Sequence, residues 1–175
     1  MKVAHLDEIR GTQIDQAIWK PIRSTLGVQA FGINAYVCKA AGATLFDEHD
    51  ETEAGAGSQR HEELYFVLAG QATLTVDGEE IDAPAGTFVF VEDPTARRGG
   101  VATESNTLVL AIGGPVGESY EVAPWEYWFR VRAARERGDA GEARAIAGEG
   151  LARYPDDQRL RREVVVLDTL RKQSA

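Results

Sequence analysis

His61-Glu62-Glu63-Leu64-Tyr65-Phe66-Val67-Leu68-Ala69-Gly70 is followed directly by Gln71-Ala72-Thr73-Leu74-Thr75-Val76 and then Asp77-Gly78. A carboxylate enters an apolar run, a glycine turns it, and an alternating strand returns to an Asp-Gly hairpin signal. Working outward, the chain predicts strands at about 63–69, 71–76, 79–82, 87–91 and 107–112, with earlier ones at 28–39 and 43–49. Gly70, Asp77-Gly78, Pro84-Ala85-Gly86, Pro94 and Gly113-Gly114-Pro115 supply the turns. Many short strands at this spacing make a sandwich or a barrel.

Before Val28 the pattern is weaker. A short helix is expected around Leu6 to Ala17, with Trp19-Lys20-Pro21 and Gly27 as punctuation. After Pro124 the texture turns helical. Trp125, Trp128 and Val131 open one segment, and Gly138-Asp139 interrupts it. Ala143, Ile146, Ala147 and Leu151 mark a second, stopped by Pro155, and Leu160, Val164, Leu167 and Leu170 a third. The predicted organisation is an N-terminal extension (1–27), a β-domain (28–115), and a linker with a helical tail (116–175).

Bulk properties exclude several functions. The chain has 175 residues, 43% of them hydrophobic, and a net charge of −9. That charge disfavours nucleic-acid and anionic membrane partners, which call for a basic patch. No apolar run is long enough to span a membrane, and the N-terminus lacks a signal-peptide core, so a cytoplasmic location is expected. Cys38 is the single cysteine, which rules out an internal disulfide and a thiolate metal site. Asp47 to Glu53 holds five carboxylates in seven residues around His49 and reads as a solvated loop. Tyr36, Tyr65, Phe88 and Phe90 read as core aromatics. Both faces of 64–68 and 87–91 are apolar, which calls for cover on both sides.

The segment from Glu63 to Gly70 resembles the first signature of the cupin family. The resemblance spans about residues 28–115 and implies a single jelly-roll β-barrel, mainly β, with a small-molecule ligand inside it. In that family a glycine, two histidines one residue apart, a glutamate and a second glycine follow in order. Here Gly42, His49, Glu63 and Gly70 match, while Glu51 stands at the second histidine position. Eleven residues separate Glu51 from Glu63, where the family has three or four; a loop insertion accounts for them. Without an insertion, the histidine positions fall on Gly57 and Gln59. For the second signature, one frame runs Gly78, Pro84, Gly86 and puts Val89 at the histidine position. The preferred frame runs from Gly86 through Pro94 and puts Arg97 there, with Val101 replacing the asparagine.

Arginine is no metal ligand. The resemblance with this substitution therefore implies a degenerate metal site and no bound metal. In this reading a Glu63–Arg97 pair stands in for the cation, and His49, Glu63, Tyr65 and Arg97 form a site for a small polar or anionic ligand. The alternative is a metal-dependent oxygenase or isomerase. It would use His49, Glu51, His61 and Glu63 to hold iron, manganese or zinc. A third reading is an interaction scaffold, with the helical tail as docking face. Family resemblance favours a homodimer built by packing barrels together. The stretch from Gly138 to Asp157 also resembles the second helix of a tetratricopeptide repeat. Trp125, Tyr127, Trp128 and Phe129 are expected to anchor the tail, and loop 50–60 could serve as a lid.

Overall fold

The computed structural model describes residues 1–52 and 59–173. Gly55 and Gly57, and most of the loop considered as a lid, lie outside the described residues. Two compact units make up the chain, Met1–Glu121 and Val122–Ala175.

The first unit holds ten strands in chain order: β1 (Thr12–Ile14), β2 (Ala17–Lys20), β3 (Gly32–Cys38), β4 (Thr44–His49), β5 (His61–Ala69), β6 (Gln71–Val76), β7 (Glu79–Pro84), β8 (Phe88–Val91), β9 (Arg98–Ala102) and β10 (Thr107–Pro115). A short helix α1 (Ile22–Leu26) lies between β2 and β3. Two antiparallel sheets result, one in the order β1-β2-β3-β10-β5-β8 and one in the order β4-β9-β6-β7. Their inner faces share one core, which includes Tyr65, Val67 and Val109 from the first sheet and Ala72, Leu74 and Ala102 from the second. Among the described residues no ladder joins the two sheets. The expected barrel is thus a two-layer sandwich, the arrangement in which two sheets bury one face each.

Local chemistry explains most of these elements. Glu79–Val76 closes the β6–β7 hairpin around Asp77 and Gly78, whose φ values of 49° and 82° are those of a type I′ turn. The other end of the chain corrects the expectation. No helix covers 6–17. One 3-10 turn, Leu6–Glu8, is capped by His5, and Gly11 follows it. The chain then makes a hairpin, with Ile14 opposite Ala17, and β2 pairs with β3. Residues 12–20 are therefore part of the β-sandwich, and Trp19 is wholly buried there rather than marking a break.

The outer face of the six-stranded sheet also differs from expectation. Phe88 and Phe90 are 63% and 56% exposed, so they are not core residues. Strand alternation puts them on the face opposite buried Val89 and Val91.

The second unit is built from α2 (Pro124–Glu136), α3 (Ala140–Arg153) and α4 (Gln158–Gln173). Asp139 caps α3 by accepting from the Glu142 amide, as the Gly138-Asp139 break predicts. Tyr127, Val131, Ala147, Leu160 and Leu167 form its own core, so Tyr127 anchors the helices to each other. The helices are present as expected; the tetratricopeptide resemblance gains nothing beyond them.

Candidate metal centre

His49 ends β4, Glu51 follows it, and His61, Glu63 and Tyr65 occupy alternate positions of β5. Alternation aims this last trio at one face, and Tyr65 and His61 are buried at 2% and 7% exposure. Glu51, expected in a solvated loop, is 6% exposed. Its backbone amide donates to the Pro94 carbonyl at 2.8 Å, which pins it to the β8–β9 connection and turns it inward.

Donor atoms of His49, Glu51 and Glu63 all lie within 4.8 Å of one another. His49 Nε2 stands 3.2 Å from Glu51 Oε1, and His61 Nδ1 3.7 Å from Glu51 Oε2. His49 Nδ1 is 2.7 Å from the Asp47 carbonyl oxygen. A carbonyl can only accept, so Nδ1 carries the proton and neutral His49 presents a lone pair at Nε2. Tyr65 Oη donates to Glu63 Oε2 at 2.5 Å. His61 Nε2 is buried without a hydrogen-bond partner.

The electrostatics show that Glu63 and Glu51 repel each other. Glu63 keeps some exposure as a residue, yet its carboxyl group is desolvated. Burial, and next the neighbouring Glu51 charge, push its pKa up to about 7, against the opposing effects of Tyr65, His49 and Arg98. Burial disfavours the His49 cation, but Glu51, the Asp47 carbonyl and Glu63 together outweigh it and raise the His49 pKa. His61 is lowered, by burial first, with Glu51 opposing. Burial and then Glu63 hold the Tyr65 phenol well above its usual range, so it is protonated and able to donate.

Arg97 is elsewhere. Its guanidinium pairs with Glu48, with the two side chains 54% and 60% exposed, and its amide donates to Asp77. The anticipated Glu63–Arg97 pair is therefore not formed. Arg98, 1% exposed and opposite His49 in the β4–β9 ladder, is the interior arginine. It donates to the Pro94 and Asp93 carbonyls at 3.2 and 3.1 Å, bracing the connection that also holds Glu51. The Arg97-Arg98 dipeptide was the available signal. Which of the two faces inward depends on a register that the glycines of β9 leave unmarked.

An aromatic wall backs the cluster. The Phe46 ring stacks on Tyr65 at 4.8 Å and 10°, and meets the His49 ring edge-on at 5.9 Å. Gly100 makes room for it, since a Cβ there would lie 2.8 Å from Phe46 Cζ.

Comparison with known proteins agrees with this architecture. Residues 48–113 match the family described as the cupin domain. A predicted oxalate decarboxylase from Thermotoga maritima superposes with a TM-score of 0.52 at 16% identity, covering 64% of this chain and 97% of that one. A sugar phosphate isomerase of the cupin superfamily from Silicibacter pomeroyi superposes with a TM-score of 0.51 at 18% identity, covering 69% and 82%. At such identities the likeness establishes the cupin fold and no activity. No curated protein matches the chain.

Proposed function

We propose that this cupin-fold protein binds one divalent transition metal through His49 Nε2, Glu51 and Glu63, and uses that centre to hold a small polar ligand. The observation that carries the reading is the convergence of two carboxylates and an imidazole within 4.8 Å, with Glu63 raised to about 7 by burial and by Glu51. Two carboxylates pressed together out of water favour a cation between them. Mixed imidazole and carboxylate donors suit iron, manganese or zinc. Such an ion supplies Lewis-acid polarisation of a ligand oxygen. The chain supplies the rest. The Asp47 carbonyl fixes the His49 tautomer, His61 stands beside the second oxygen of Glu51, and Phe46 with Tyr65 walls the centre. This reading is preferred to the metal-free one, whose physical basis was Arg97, which pairs with Glu48 instead.

The test is metal stoichiometry and affinity. Chelator-treated, full-length protein titrated with zinc or manganese in a calorimeter is expected to take up one ion per chain. His49→Ala and Glu63→Gln are expected to abolish stoichiometric uptake while circular dichroism stays native. Absence of saturable binding by the unmodified protein would discard the reading.

We also propose that the protein pairs with a second copy through the outer face of the six-stranded sheet. Phe90, Leu64, Ile112 and Ile33 stand in one cross-strand row, and Phe88, Phe66, Leu110 and Ala35 in the next. The Phe66 and Phe88 rings stack at 4.2 Å, and both rows are apolar from β8 to β3, beyond which Lys20 of β2 continues the second. An apolar patch of this kind can bury itself against its own copy, which is what a two-fold interface requires.

A further inference from the structure

We infer that Tyr65 is a positioning residue of the metal centre, committing Glu63 to ligate through one oxygen. The inference rests on the metal-binding reading above and adds to it how the donor set is held. Tyr65 Oη has one proton, and it goes to Glu63 Oε2 at 2.5 Å. One lone pair of that oxygen is thereby engaged, which favours Oε1 as the ligating oxygen. Residues two apart on a strand share a face, so β5 places the phenol beside the carboxylate with no help from loop geometry.

The phenol itself is held firmly. Tyr65 is 2% exposed, and the stacked Phe46 ring at 4.8 Å and 10° limits rotation about its side-chain bonds. Phe46 is in turn fixed by Gly100, whose missing side chain leaves the space that ring fills. The line Gly100–Phe46–Tyr65–Glu63 crosses from one sheet to the other through the core. Glu51 is positioned differently, by its own amide donating to the Pro94 carbonyl at 2.8 Å. The two carboxylates are thus positioned from different elements, Glu63 by the phenol on β5 and Glu51 by the β8–β9 connection.

Outer partners of this kind set ligand orientation, and their removal typically costs about 10–100-fold in metal affinity. The experiment is a zinc titration of chelator-treated, full-length protein, comparing the wild type with Tyr65→Phe and Phe46→Leu. Tyr65→Phe keeps the stacked ring and removes only the proton donor. It is expected to weaken zinc binding by about 10–100-fold. X-ray absorption of the zinc-loaded variant is expected to show an added oxygen, as Glu63 swings to two-oxygen ligation; a purely structural role would not change that shell. Phe46→Leu keeps the hydroxyl but unstacks it and is expected to weaken binding in the same direction, which keeps the inference testable if Tyr65→Phe misfolds. Affinities of both variants within about twofold of a zinc-binding wild type would overturn the role of Tyr65 and leave the centre standing. A wild type that takes up no zinc would instead remove the centre, and this inference with it.

Discussion

Burial first, and the Glu51 charge second, raise the Glu63 carboxyl from its ordinary 4.5 to about 7. The sign of the resulting pH dependence follows from proton binding. Across the interval between those values the native protein holds a proton that the unfolded chain has released. Stability of the metal-free protein therefore falls as pH rises through that interval and levels above it. His49, also raised, adds to the decline, while His61, which is lowered, opposes it by costing stability on the acid side. Melting temperatures of wild type and Glu63→Gln, followed from about pH 5 to about pH 8, isolate the Glu63 part. The wild type is expected to lose ground to the variant as pH rises, and a constant difference would refute the account. Added zinc should reverse the trend, because the metal takes the ionised carboxylate and displaces the proton. At this scale much was readable in advance. His49, Glu51, His61 and Glu63 were all candidate ligands, because chemistry-bearing residues announce themselves by type. Arg97 was assigned inward wrongly, because adjacent residues of a strand face opposite ways and only the register says which.

Among elements, the long apolar or alternating strands β3, β5, β6 and β10 were recognisable from period two and their turns. Three did not announce themselves. β1 and β2 are three and four residues long, too short to display a period. β9 reads Arg-Gly-Gly-Val-Ala, a poor strand former by composition. Gly100 is there for proximity, since a Cβ on it would lie 2.8 Å from Phe46 and 3.0 Å from Leu74. The glycines of α3 divide in the same way. Gly148 has nothing within 4 Å of a built Cβ, whereas at Gly150 that atom would lie 2.8 Å from Leu160 and 3.0 Å from Tyr127. Gly148→Ala is therefore expected to stabilise the helical unit by about 0.5–1 kcal/mol through helix propensity. Gly150→Ala, although it gains the same propensity, is expected to destabilise it by about 1–3 kcal/mol through overpacking. Denaturant unfolding followed by helix signal distinguishes the two, and equal effects at both positions would contradict the packing.

For the whole molecule, the outer sheet face is the feature with the largest consequence. Leu68, Phe88 and Phe90 are 48%, 63% and 56% exposed in the single chain, against an apolar cross-strand surround. Apolar patches beyond a few hundred Å² are uncommon on monomers and mark interaction surfaces. Light scattering after size exclusion is expected to give a dimer mass for the wild type. Phe88→Glu with Phe90→Lys is expected to give a monomer with unchanged circular dichroism. A wild type that runs as a monomer at about 0.1 mM, where even a weak interface of this size associates, would dispose of the dimer. Among the described residues no helix is long and apolar enough to cross a membrane, so the patch is not a helical span.

By itself the sequence determined the class of fold, the helical segment after Pro124, and the stock of imidazoles and carboxylates from which a metal centre is drawn. These follow from local regularities: period, turn chemistry and residue type. The tertiary structure alone decided that 12–20 belong to the sandwich, that Phe88 and Phe90 face outward, and that Glu51 turns in beside Glu63 while Arg97 pairs with Glu48. Each of those outcomes is set by register and by distant partners: the Pro94 carbonyl for Glu51, the Asp77 carboxylate for the Arg97 amide, Gly100 for the Phe46 ring. Contacts between residues 20 to 60 positions apart leave no periodic trace along the chain, so they become visible only once the two sheets have closed on each other.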